Sequence, residues 1–184
     1  MEIRAIKQKF ENAVRKIYSN DYYLLKNKLN ERAVTPRLFC YLRLEFPDYN
    51  VDHEYNGNIE NAVNGRKQMV GSESEFRQFD KIRKPKIISG MTVSNIVPDI
   101  IVHKRGFNTD NLLVIEVKIA KSRQFAILNL HDRFDTTKLH YFTGRSSGFN
   151  FKLGAFLQLG IDKYCTSYFV EGIKLLELKN IKLL

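Results

Sequence analysis

Apolar residues recur at helical intervals at the start of the chain. Ile6, Phe10, Val14, Ile17 and Tyr18, with Lys and Arg between them, predict an amphipathic helix over residues 3–18. A second helical stretch over 22–29 completes an N-terminal helical extension, residues 1–29. Asn30 then offers an N-cap, with Glu31 and Arg32 in the first turn of a third helix that carries Leu38, Phe39, Tyr41, Leu42 and Phe46 and stops at Pro47. Pro36 lacks a backbone donor, so this helix is expected either to start or to bend there.

The period then shortens. Val51, His53 and Tyr55 share one side of a strand over 49–55. Residues 56–86 are polar, Asn-rich and charged, which predicts an insertion or long loop with a short helix near 74–82. Residues 87–102 turn β-like, interrupted at Pro98, and 112–118 are almost continuously apolar, as in a strand buried on both faces. The turn-rich stretch 105–111 between these runs predicts a hairpin. A helix over 130–141 and strands over 151–159, 164–170 and 174–178 complete the pattern, with Gly172 between the last two. The expectation is one α+β domain over residues 1–184, a mixed central sheet flanked by helices.

Composition adds a partner. Thirty Lys and Arg against twenty Asp and Glu give a formal charge of +10, a field that attracts polyanions, nucleic acid above all. An anionic membrane is the competing partner, but no basic amphipathic anchor or lipidation signal supports it. No stretch approaches the roughly 18 uninterrupted apolar residues of a membrane span, and the N-terminus carries no signal-peptide core. A cytoplasmic protein is expected. Cys40 and Cys165 have neither metal-ligand nor redox spacing, and the four histidines form no metal motif.

Candidate chemistry lies where charge interrupts the β runs. Asp99 follows Pro98, and Glu116 and Lys118 end the next run as Glu-Val-Lys. With period two, Glu116 and Lys118 point the same way. A turn near Asn108 would set Asp99 opposite Val117, one step from both; a shift of one residue would put all three on a common face. Asp99 and Glu116 could then hold a hard cation, Mg²⁺ or Mn²⁺, with Lys118 beside it to position water or neutralise charge at phosphorus. Glu-x-Lys alone has little weight, since Glu177-Leu178-Lys179 repeats it without a matching Pro-Asp. A solvated strand end with a weak ion pair is the ordinary explanation of such a tripeptide.

Pro98-Asp99 followed by Glu116-Val117-Lys118 resembles the signature of the PD-(D/E)XK nuclease superfamily. The element order over residues 30–159 is similar to its α-β-β-β-α-β, restriction-endonuclease-like core. The resemblance implies divalent-metal-dependent phosphodiester hydrolysis, with Asp99 and Glu116 as metal ligands, Lys118 as catalytic lysine, and Glu31 as a further acidic contributor from the preceding helix. Glu31 also has a bland role, favouring the helix macrodipole, and Glu45 is a weaker substitute. Lys138, on the helix after the hairpin, is a candidate to touch substrate or buttress the site, with a solvated helix face as the ordinary explanation; Gln158 is a candidate from the last core strand, with a satisfied edge polar group as its ordinary explanation. Lys121 and Arg123, in the basic run 118–123, are candidate phosphate contacts, and residues 81–86 form a second basic run.

The expected activity is therefore a metal-dependent nuclease, acting on DNA before RNA or branched forms, with homodimerisation left open. The alternatives are a non-catalytic nucleic-acid-binding module, or a protein-interaction factor, on the same fold.

Overall fold

A computed structural model describes the chain except residues 59–64, 83, 89, 121–128, 176–180 and 183–184, together with the side chains of residues 181 and 182. The apolar stripe of the first helix, α1 (Ile3–Asn20), is its buried face: Ile6, Phe10, Ala13, Val14 and Ile17. A short α2 (Tyr22–Lys26) leads to α3 (Glu31–Glu45). Asn30 occupies the N-cap position of α3, although its side chain makes no capping bond. The helix neither starts nor ends at Pro36. The proline ring is exposed, so its missing N–H removes only the bond toward the Arg32 carbonyl.

Beyond β1 (Asn50–His53), the stretch expected to be an insertion or long loop holds a strand, β2 (Gln68–Gly71), and a short helix close to where one was expected, α4 (Glu73–Arg77). Ser72 and Glu75 form a reciprocal capping box that fixes the start of α4. The β-like run over 87–102, expected to be interrupted at Pro98, divides further into three strands, β3 (Lys86–Ile88), β4 (Met91–Asn95) and β5 (Ile100–His103). Gly90, at φ +78°, turns the chain between β3 and β4, and Pro98 ends the extended run before β5. Then come β6 (Leu113–Ile119), α5 (Leu130–Thr143), β7 (Leu153–Leu159), β8 (Lys163–Val170), β9 (Ile173–Leu175) and β10 (Ile181–Lys182). Asn129 and Asp132 cap α5 reciprocally.

Two sheets result. The main one runs β1-β5-β6-β7-β8-β10, with β9 also paired to β8; β2-β4-β3 form a separate three-stranded sheet. Within the main sheet β6 and β7 are parallel, joined across α5, while the other pairs are antiparallel. The order α3-β1-β5-β6-α5-β7 is helix, three strands, helix, strand, with the small-sheet unit inserted after β1. Alternation divides the core between the two faces. Ile100, Val102, Leu113, Ile115, Val117 and Leu157 pack with α1 and α3. Ile101, Val114, Phe156 and Phe169 pack with α5 and with Met69, Phe76 and Phe79 of the inserted unit. The N-terminal helix is thus part of one wall of the core. Among the described residues no helix is long and apolar enough to cross a membrane.

A polar cluster ties the insertion to the main sheet. The His103 ring lies 2.7 Å from Asp52, whose carboxylate also accepts from Arg105. Buried Lys67 donates to the Gly57 carbonyl and lies over the Tyr55 ring. Burial pushes the Lys67 ammonium down to about 8, against a smaller upward pull from Asp52. Between that value and its ordinary 10.5, the unfolded chain keeps a proton that the native state has released, so this group makes stability rise with pH. Wild type is expected to gain about 2 kcal/mol relative to Lys67→Met between about pH 7 and about pH 10. Urea unfolding of both proteins at the two pH values measures it, and a difference independent of pH would contradict it.

Candidate functional site

The strand register decides which charged groups meet. β5 and β6 pair Ile100 with Ile115, Ile101 with Val114 and Val102 with Leu113. Continued one residue past Ile100, this sets Asp99 opposite Glu116. The alternative with Val117 opposite Asp99 is not the one adopted, and Asp99, Glu116 and Lys118 share the α5 side of the sheet. Asp99 is fixed from both flanks: its carbonyl accepts from Glu54 N–H (3.0 Å) and its carboxylate accepts from Val117 N–H (2.7 Å). Pro98 has no N–H to donate at the point where β5 begins, and there the Asp99 carboxylate serves as the acceptor for the Val117 N–H.

α5 completes the cluster. Asp135, Lys138, Leu139 and Phe142 lie on one helical face, so the apolar residues that seat the helix also carry an acid and an ammonium to the sheet. Lys138 Nζ lies 2.8 Å from Glu116 Oε2 and 2.9 Å from Asp135 Oδ1, and donates to the Val97 carbonyl at 3.2 Å. Its three protons thus have three acceptors. Lys118 Nζ lies 3.0 Å from Asp135 Oδ2 and 3.4 Å from Glu31 Oε2. The result is four carboxyl groups, Glu31, Asp99, Glu116 and Asp135, interleaved with two ammonium groups.

The cluster is graded from closed floor to open mouth. The Glu116 and Lys138 side chains are 1% and 5% exposed, that of Lys118 22%, and that of Glu31 43%. Burial pushes the Glu116 carboxyl well up; Lys138 pulls it back while Asp135 and Asp99 add to the rise. Burial also raises Asp99, opposed by the Val117 N–H and by Lys138. Asp135 goes the other way: burial would raise it, but Lys138 and Lys118 hold it below the ordinary carboxylate value. Both lysines stay charged, because the surrounding carboxylates outweigh their burial.

The structure therefore brings together Asp99, Glu116, Lys118 and Glu31, as expected for the candidate site. Lys138 is present, but buried against Glu116 rather than at the surface where a substrate contact was expected. Gln158 pairs with Lys118 in the β6–β7 register, so it stands beside the site. Glu45 is elsewhere: α1 holds it through Lys16 at 2.8 Å. Lys121 and Arg123 lie outside the described residues. Asp135 is the group that sequence reasoning missed. Its signal was the i, i+3 spacing to Lys138 on the face bearing Leu139 and Phe142.

The chemistry of the donors suits a hard dication. Asp99 and Glu116 offer carboxylate oxygens, and Glu116 Oε1 is buried with no hydrogen-bond partner. Among the described residues no group of three or more His, Cys, Asp or Glu is arranged to hold a metal ion. Mg²⁺ does not require one, since it is usually bound through one or two carboxylates with waters and substrate phosphates. A separate cleft of about 670 Å³ opens between α4 and the C-terminal end of α5, lined by Phe76, Tyr141 and Arg145, and contains none of the site carboxylates.

No protein-family model matches the chain, and no curated protein does. Among solved structures it is similar to the crystal structure of SSO0001, at 13% sequence identity and a TM-score of 0.42, over 92% of this chain and 77% of the other. A likeness that distant carries no argument about activity.

Proposed function

We propose that this chain is a metal-dependent nuclease that hydrolyses phosphodiester bonds, DNA foremost, as its resemblance to the PD-(D/E)XK superfamily implies. The observation that supports this most is the β5–β6 register, which sets Asp99 and Glu116 opposite each other with Lys118 on the same face. Asp99 and Glu116 would hold Mg²⁺ or Mn²⁺, with Glu31 or Asp135 available for a second ion or for water. When bound, such an ion supplies Lewis-acid stabilisation of the phosphoryl oxygens and makes water more acidic.

The remaining work falls to side chains of this chain. Hydrolysis adds water across a P–O bond, its oxygen going to phosphorus and a proton to the departing alkoxide. Lys118, kept charged by Asp135 and Glu31, places an ammonium at the open side of the site, where it can orient that water and offset charge gathering on the phosphoryl oxygens. Asp135 fixes the ammonium in place, and Lys138 limits repulsion among the carboxylates before a cation arrives.

One observation favours a second reading, a nucleic-acid-binding module whose charged cluster is only structural. Glu116 and Lys138 form an ion pair almost without solvent access, and such pairs also occur in cores with no catalytic role. Incubation of purified protein with linear, circular, single-stranded and branched DNA, and with RNA, separates the two readings. Cleavage that requires Mg²⁺ or Mn²⁺ and stops on chelation is expected; binding that survives chelation, with no cleavage of any form, would favour the module.

A further inference from the structure

The inserted three-stranded sheet carries a cleft of its own. It has a volume of about 360 Å³, and its lining includes Gln68 of β2, Ser94 and Asn95 of β4, Lys86 of β3, and Ile82 and Lys84 from the segment before β3. Lys84 and Lys86 are exposed, and no acidic side chain lines the cleft. We propose that this cleft is a docking site for the phosphate backbone of a nucleic-acid strand, which it holds beside the carboxylate cluster. The inference deepens the nuclease reading and rests on it for the identity of the strand as substrate.

Charge complementarity is the first support. Two lysines lining a concave surface, with no carboxylate partner among the described residues, make a local positive field within a chain of charge +10. Polar groups without charge are the second: Gln68 and Asn95 hydrogen-bond across β2 and β4 at 3.0 Å, forming an amide lip of the kind that meets phosphate and sugar oxygens.

Placement is the third. Asn95 precedes Asp99 by four positions, so the chain can separate them by at most about 14 Å. A strand held at the cleft is therefore within about four nucleotides of the cluster, at roughly 3.4 Å of rise each. The segment that leads into β3 is tied to the site as well. Ile82 N–H donates to the Phe79 carbonyl at 2.9 Å, and the Phe79 ring packs edge-on against Phe134, 5.1 Å between centroids, next in sequence to Asp135. β4 and the segment before β3 are thus both coupled to residues adjoining the cluster.

A lysine-bearing edge strand also serves to discourage sheet-to-sheet pairing, which makes a second copy of the chain the rival occupant. Fluorescence anisotropy with labelled single-stranded and duplex DNA in EDTA reads binding without turnover. The Lys84→Ala/Lys86→Ala double variant, shown by thermal melting to be folded, is expected to bind at least one DNA form about tenfold more weakly. Its slope of log affinity against log salt should be shallower by about 2, as two phosphate contacts are lost. Unchanged affinity and slope would overturn the docking site while leaving the nuclease reading intact. Failure of wild type to bind either DNA would overturn it too, as would a variant that loses only self-association in sedimentation. Absence of cleavage with the binding loss intact would instead refute the nuclease and keep the cleft.

Discussion

Lys118→Ala is expected to lower phosphodiester cleavage by about 10²–10⁴-fold while the protein stays folded. The Lys118 side chain is partly exposed and pairs with two carboxylates. Removing it leaves Glu31 to solvent, and Asp135 keeps Lys138. Neither carboxylate is left without solvent or another ammonium, so the cost in stability should be smaller than the roughly 3–5 kcal/mol of breaking a fully buried pair. Single-turnover cleavage, read beside circular dichroism and a melting curve, separates chemistry from folding. Undiminished cleavage by rigorously purified Lys118→Ala would remove its assigned role.

Lys138→Met has the larger expected effect on stability. It removes the ammonium that touches both Glu116 and Asp135 at the closed end of the cluster. Deleting one partner of a buried pair leaves an uncompensated charge and typically costs about 3–5 kcal/mol. The loss should depend on pH with a definite sign. The Glu116 carboxyl is already raised by burial, so the native state holds a proton above the unfolded value and loses stability as pH rises through that window. Without Lys138 the rise is greater, so the deficit should be smallest in mild acid and largest at neutral pH. Mn²⁺ should restore more stability to the variant than it adds to wild type, because a dication neutralises the same carboxylates. Urea unfolding at about pH 5 and about pH 7.5, with EDTA or Mn²⁺, tests both points. Wild-type stability at neutral pH in EDTA, or no differential gain with Mn²⁺, would contradict them.

Strong periodicity made much of the fold legible. The stripe of α1 and the apolar run of β6 each reported directly on burial. The inserted unit was hidden because its strands are short and half-exposed: β3 is exposed at all three residues, and β2 offers only Met69 to the core. Such strands lack the alternation that marks a buried face. The site was legible in its parts but not in its assembly. Glu116 and Lys118 share a face by period alone, whereas the placement of Asp99 depends on hairpin register, which a seven-residue turn region does not encode in any simple pattern. Asp135 and the burial of Lys138 required the packing of α5 on the sheet. Lys138 was expected at the surface because lysines are rarely buried without a partner, and the partner, Glu116, lies on a distant segment of sequence.

The most direct measurement compares wild type with Asp99→Asn, purified in parallel, for cleavage of labelled nucleic acids in Mn²⁺. Asp99→Asn keeps the shape of the side chain and an oxygen able to accept from the Val117 N–H, but removes the charge that would bind a dication. Wild type should cut at least one substrate form, with the Asp99→Asn rate lower by two orders of magnitude or more. Equal rates in the two proteins, or no cleavage of any form by wild type, would contradict a hydrolytic centre at this carboxylate cluster.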